Sequence, residues 1–433
     1  MNSTTVKLGA AAAFGCALGL LTGCQHIVPT VPVKAVTFTS HGANVVSVWN
    51  EIAAKTINVG PSADGTAEER KPHYALDLAT VHVAIYDAVI AIAGTHKPYA
   101  IAPTIAGASA SADAAANAAA YGVLKGLFPA RADVYQGIHD ALLANIPDGA
   151  AKSRGSTIGA EVARGILALR ANDGRAAPMA PYVPGTAPGK FRGDNPLSRS
   201  FPNVRPFAMS GAAQFRASGP PSLSSSAYAA DFNETKAFGA ANSSVRNAAQ
   251  TEVARFHSEP PWHAWPRNLR QFATSNRSLA DNARLMAMLW VAHADALIAC
   301  FDSKYYFEFW RPTSAIALAD TDNNAATVAD ANWTPVVPTP NHPEYPAAHS
   351  CASGATAEVL RDFFGTVHVS FKFDSTVKNT IVHSYTTTDE LVAEIQAARI
   401  HGGMHFRTAT EHGAALGAMV ARWVTTGHFQ KRE

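Results

Sequence analysis

Lys304-Tyr-Tyr-Phe-Glu-Phe-Trp-Arg311-Pro312 is the stretch on which the fold turns. It ends an apolar run opened by Ser278-Leu-Ala-Asp281, a capping-box pattern with Asp in the glutamate position. That run predicts a long helix leading into Lys304. Arg311 follows seven residues, or two helical turns, later and would project from nearly the same face. Pro312 would end or kink the helix just after it. Tyr305, Phe307, Phe309 and Trp310 would pack about the charged pair and exclude water. Taken alone, such a stretch is more often an ordinary amphipathic helix with surface cations.

Outward from this point the texture stays helical. Val45 to Ile57 and Tyr74 to Ala93 carry apolar residues at three- and four-residue steps. Ser111 to Leu127 is rich in Ala, with Ser111 as N-cap and Pro129 as stop, and Ala151 to Ala171 repeats the pattern. Alternating Val/Ile/Thr runs are few, so the expected class is all-α, a helical bundle with little sheet. Between Ala177 and Leu223, prolines such as Pro178, Pro184, Pro196, Pro206 and Pro220 forbid a long helix. Such a segment drapes over the surface or builds the mouth of a site; a linker between two helical halves is the alternative. The expected division is an N-terminal helical half at 45–176, an irregular segment and lead-in at 177–250, and a C-terminal half at 251–433, all in one compact domain.

The N-terminus reads as a processing segment. Lys7 precedes an apolar run from Leu8 to Leu21, which ends in Leu21-Thr22-Gly23-Cys24, a bacterial lipobox. Residues 1–23 would be removed, Cys24 lipidated, and 24–44 would form a tether. There is no twin-Arg pair, and Gln25 gives no signal for inner-membrane retention. The expectation is an exported lipoprotein facing the periplasm from the outer membrane, touching the bilayer only through its acyl chains. The best later span, Leu279 to Cys300, is interrupted by Asp281, Arg284, His293 and Asp295. A net charge of +2 over 433 residues gives no electrostatic case for nucleic acid. Cys300 and Cys351 could form a disulfide in an oxidising compartment or remain buried thiols.

Two further stretches carry chemistry. In Pro346-Ala-Ala-His349-Ser350 the histidine precedes a helix from Ala352 to Phe364 closed by Gly365, so it sits near a first turn that favours anions. In Ala398-Arg399-Ile-His-Gly-Gly-Met-His405, Gly402-Gly403 argues for a break that lets Arg399 end one helix and His405 begin the next. Capping, core or turn histidines are the plain alternatives. The i,i+4 pair His401 and His405 also raises zinc, with His412 or His342 as a third ligand, although no spacing demands it.

Three cations and two imidazoles can hold a tetrahedral or trigonal-bipyramidal oxyanion. In order and spacing the three stretches resemble the signature of vanadium-dependent haloperoxidases and type 2 phosphatidic acid phosphatases: Lys-x6-Arg-Pro, Pro-Ser-Gly-His, Ser-Arg-x5-His. Tyr86-Asp87-Ala88, Trp310-Arg311-Pro312 and Pro343-Glu344-Tyr345-Pro346 are similar to the bacterial and plant haloperoxidase-like branch, and the likeness covers most of Val45 to Val424. The resemblance implies a helical bundle with the oxyanion at one end. Lys304, Arg311, Arg399 and the Ala348 N–H would hold vanadate, with His405 apical on the vanadium and His349 as acid/base. The substrates would then be hydrogen peroxide and a halide. Phosphate would compete for the same site. With a phosphate monoester, His405 would be the nucleophile of a phospho-histidine intermediate and His349 would protonate the leaving group.

This sequence departs from the pattern in places. Ala347 and Ala348 stand where the family has Ser-Gly, and Ala398 replaces a Ser. Loss of the Ala347-position hydroxyl would weaken anion binding by about 1.5–3 kcal/mol. Ala409 occupies the position of an Asp common in the phosphatase pattern, so the partner that orients the last histidine is expected to be missing, which tilts the reading towards haloperoxidase. His342 falls where algal bromoperoxidases carry His and fungal chloroperoxidases Phe, a possible tuning residue or a loop histidine. A soluble periplasmic acid phosphatase and a non-catalytic oxyanion-binding lipoprotein stand as alternatives. His82, His257, His263 and His293 are expected in buried structural roles.

Overall fold

The structure is a computed structural model that describes residues 44–59, 73–377 and 381–433. Cys24, the lipobox and most of the tether lie outside the described residues. The helices are α1 (Val45–Val59), α2 (Tyr74–Ala93), α3 (Ala112–Leu127), α4 (Ala132–Ala144), α5 (Ala150–Arg170), α6 (Ser226–Gly239), α7 (Ala248–Phe256), α8 (Pro261–Leu269), α9 (Leu279–Phe307), α10 (Pro312–Ala317), α11 (Ala348–Phe364), α12 (Thr388–His401) and α13 (Arg407–Gly427). One antiparallel hairpin, β1 (Phe371–Ser375) with β2 (Ile381–Tyr385), sets Phe373 opposite His383. The all-α expectation holds.

Helix α9 is the axis, packed against α2, α11 and α13. Every residue from Leu285 to Lys304 is buried, the pattern of a helix that is apolar all round. α2 and α9 are long and apolar enough to cross a membrane by composition, but 89% and 100% of their apolar windows are buried inside the protein. Ser278 caps α9 by accepting from the Asp281 N–H at 3.0 Å, while the Asp281 carboxylate takes the serine hydroxyl at 2.7 Å. Cys300 and Cys351 are free, buried thiols.

The Pro-rich segment lies along α9. Asp295, in the middle of that helix, accepts the backbone N–H groups of Phe207, Ala208 and Met209 at 2.7, 2.7 and 3.0 Å. Burial raises its carboxyl to about 6, against the pull of those three donors. Arg216 pairs with Asp302 further along, and the Phe191 N–H reaches the Glu308 carbonyl at 2.8 Å.

One expected element is wrong. Arg311 does not share a helix with Lys304, because α9 stops at Phe307 and Glu308 turns left-handed at φ 50°. Phe309 then bridges to Lys190, and Pro312 holds Arg311 extended at φ −78°, ψ 156°. Pro312 opens α10 instead of closing α9. α11 begins at Ala348, earlier than expected, which puts His349 in its first turn. The break after Arg399 is where the glycines predict it. Gly403 has φ 75°, and a Cβ there would come within 2.6 Å of the Gly239 carbonyl oxygen.

Candidate oxyanion site

A cavity of about 240 Å³ opens where the ends of α9, α11 and α12 meet. His342, Ala348, His349, Arg399, Met404 and His405 form its polar wall, and Tyr74, Trp262, Trp265, Leu297 and Phe301 line the apolar side. Leu197 and Ser198 bring the irregular segment to the cavity, the mouth-building role expected of it.

His405 lies in the loop between α12 and α13 and is 1% exposed. Its Nδ1 is 3.0 Å from Glu344 Oε1, and its Nε2 is 3.0 Å from an Arg311 guanidinium nitrogen. Arginine can only donate, so Nε2 is the lone-pair nitrogen and Nδ1 carries the proton, donated to Glu344. Arg311 also donates to the His342 and Met404 carbonyls at 2.7 and 2.9 Å and to His342 Nδ1 at 2.9 Å. Lys304 donates to the Pro343 and Glu344 carbonyls at 2.8 and 2.9 Å. It therefore holds the 343–344 loop that positions Glu344, and it does not line the cavity.

Arg399 is in the last turn of α12, with one guanidinium nitrogen on the His257 carbonyl at 3.1 Å and another facing the Met404 thioether at 2.9 Å. Its Nε has no partner among the described residues, and neither has His349 Nε2. Burial lowers Lys304 to about 8, Arg311 to about 10 and Arg399 to about 9. Burial and the neighbouring cations push His349 and His405 well below the ordinary histidine range. Against three buried cations stands the Glu344 carboxyl, itself raised to about 7 by burial. The pocket carries an excess of positive charge that a bound anion would balance.

Glu344 corrects the expectation drawn from Ala409: His405 does have an orienting carboxylate, supplied by the loop before α11. Ala409 contributes its backbone carbonyl, which accepts the Ala347 N–H at 2.9 Å. Ala348 sits at the first position of α11, where no helix carbonyl reaches its N–H. A signal for Glu344 was present, an acidic residue among Pro343, Tyr345 and Pro346 beside the His349 motif. His342 is a half-buried partner of Arg311 at the cavity, not a free loop histidine.

The zinc grouping is not formed. His401 packs on Phe238, His412 bonds the Tyr345 hydroxyl, and neither joins His405 in a metal-type group among the described residues. The metal-type cluster among the described residues is His257, His383 and Glu394. His82 and His293 are buried in the core against Asn50 and Tyr74 as expected, whereas His263 is exposed.

Fold and site define a helical-bundle protein with a cavity at one end, a cup where buried cations and two imidazoles meet. Residues 284–431 match the family model of the VCPO second helical-bundle domain. Vanadium chloroperoxidase of Curvularia inaequalis is 33% identical over 102 residues, a match that spans 21% of this chain and only 16% of that protein. The first bacterial vanadium-dependent iodoperoxidase structure superposes with a TM-score of 0.73 at 22% identity, covering 91% of this chain and 100% of the other. A holo-type bacterial vanadium-dependent chloroperoxidase gives 0.68 at 18% identity, with 90% and 98% covered. Residues 284–431 thus match the second helical-bundle domain of this family, and the chain as a whole shares the fold of the bacterial vanadium-dependent haloperoxidases.

Proposed function

We propose that this protein is a vanadate-dependent haloperoxidase that oxidises halide with hydrogen peroxide. The observation that carries the reading is the pair of unpartnered nitrogens, Arg399 Nε and His349 Nε2, at a pocket walled by Arg399 and backed by buried Arg311 and Lys304. Unpartnered buried polar atoms are costly, and an oxyanion would accept from Arg399 Nε–H and from His349 in its Nε2–H tautomer. The residues fit vanadate provided Arg311 turns its donor from His405 Nε2 to the anion: Nε2 would then be the protein ligand, with Arg311, Arg399 and the Ala348 N–H about the oxygens. Bound vanadate would supply the Lewis acidity that activates peroxide towards halide. The chain's own part is to neutralise the anion, hold the His405 lone pair towards it and move protons at His349. Peroxide, halide and one proton give hypohalous acid and water, so each turnover needs a proton delivered to the cup.

A second reading, acid phosphatase, is favoured by the Glu344–His405 pair. A carboxylate that fixes the Nδ1 proton leaves Nε2 as a nucleophile for a phosphate monoester. The test is halogenation of monochlorodimedone with orthovanadate, peroxide and chloride, bromide or iodide in turn, beside cleavage of para-nitrophenyl phosphate. Halogenation supports the proposal. Ester cleavage without halogenation replaces it with the phosphatase, and vanadate binding with neither activity leaves an oxyanion-binding protein. We also propose that the protein is an outer-membrane lipoprotein facing the periplasm, on the strength of Leu21-Thr22-Gly23-Cys24. Radiolabelled palmitate should enter the wild type and not Cys24→Ser; equal labelling rejects the anchor.

A further inference from the structure

We propose that His257, Glu394 and His383 form a proton relay that joins His349 to the surface by a route separate from the substrate cavity. The inference rests on the proposed acid/base role of His349. A second, smaller cavity of about 10 Å³ is lined by His257, His349, Glu259 and Trp265. That is room for about one water between the two imidazoles. From there His257 Nε2 lies 2.8 Å from Glu394 Oε1, and the same oxygen is 2.7 Å from His383 Nδ1. His383 Nε2 is 3.2 Å from Glu252 Oε2. Side-chain exposure is 3% at His257, 25% at Glu394, 15% at His383 and 32% at Glu252, so the chain of contacts runs from the interior to solvent.

The path is held rigidly. His383 stacks on Phe256 with ring centroids 3.8 Å apart and planes 2° from parallel. Tyr385 donates to Glu394 Oε1 at 2.6 Å. The His257 carbonyl accepts from Arg399, which ties the inner end to the cup. A resident metal suits the cluster less well. With Zn–N and Zn–O near 2.0–2.1 Å, two tetrahedral ligands stand roughly 3.3 Å apart. The separations of 2.7 and 2.8 Å are those of hydrogen bonds.

The transfer is balanced hop by hop. A proton taken from solvent at His383 Nε2 or Glu252 frees the His383 Nδ1 proton for Glu394. Glu394, held down to about 2 against burial by its hydrogen-bond partners, carries that proton only in passing. With His257 in its Nδ1–H tautomer, Glu394 hands it to His257 Nε2, and Nδ1 releases one to the cavity water, which protonates His349. Each ring gains one proton and loses one.

The test uses the full-length protein, loaded with vanadate for halogenation or free of it for ester cleavage, with whichever turnover it shows. In dilute buffer Glu394→Gln should lower kcat roughly tenfold, part of the range that acid/base catalysis contributes. Added imidazole buffer should restore it to within about twofold, while wild type stays insensitive to buffer. Glu252→Gln, at the surface end and away from the cup's packing, should give a smaller loss with the same rescue. A structural defect would not respond to buffer, so unrescued losses, or variants equal to wild type, overturn the relay. Wild type active in neither assay overturns the reading of the site, and the relay with it.

Discussion

The two sides of the cup are held in opposite ways. On the His405 side the protein satisfies its own cations and imidazole. Lys304 is on the 343 and 344 carbonyls, Arg311 on His342 and Met404, and His405 between Arg311 and Glu344. On the His349 side, Arg399 Nε and His349 Nε2 have no partner among the described residues. The first arrangement fixes one tautomer and one lone-pair direction, which suits a ligand or nucleophile. The second leaves a nitrogen free to take and give a proton. On the proposed reading, the same residue type would take two roles according to what its second nitrogen touches.

The strongest way to break this comparison is to remove each histidine in turn. His405→Ala should lose both vanadate binding and turnover. His349→Ala should keep vanadate affinity within about tenfold while kcat falls roughly 10²- to 10⁴-fold. Equilibrium vanadate binding and steady-state kinetics on both variants decide it; equal losses of binding would mean that the two sides are not functionally distinct. A smaller effect belongs to Glu344→Gln, which keeps the shape but not the charge that fixes the Nδ1 proton. It should cost about 10- to 100-fold in vanadate affinity, as loss of a ligand's outer partner does. Unchanged affinity would return the orienting role to some other group.

What could be read from the chain divides along similar lines. α2, α3 and the end of α11 are bounded by local chemistry. Ser111 accepts from the Ala114 N–H, and Gly94 and Gly365 take the left-handed C-cap. Such boundaries need no tertiary knowledge. Arg311 was misplaced because the chain leaves α9 through contacts with residues more than a hundred positions earlier, Lys190 and Phe191. Periodicity cannot register such a contact. The convergence of Arg311, His349, Arg399 and His405 was legible only through the order of three motifs, and that Lys304 would stand behind the wall was not. Glu344 stood within a motif, but its contact with His405 was hidden for a similar reason. Its reach to His405 depends on a loop held down by Lys304, and sequence separation says nothing about that loop's path.

Lys304 offers the finest probe of the comparison. Burial lowers its ammonium to about 8, with the Glu344 carboxylate pulling the other way. The two loop carbonyls accept from the ammonium, which offers three protons where a neutral amine offers two. Below about pH 8 the group is charged in the free protein, and an anion bound nearby favours that form further. Above it, each binding event must also take up a proton. Affinity for tungstate, whose own charge is constant across this range, should therefore decline from about pH 7 as Glu344 ionises and fall more steeply, by up to about a further tenfold per unit, above about pH 8 as Lys304 loses its proton. Lys304→Met should start weaker and lose the steeper limb, since no proton is left to take up. A steeper limb that persists in Lys304→Met would assign it to Arg399, at about 9, and so to the unsatisfied side of the cup. The side that responds first to rising pH is expected to be the one that also anchors Glu344, which couples charge on the anion to the orientation of His405.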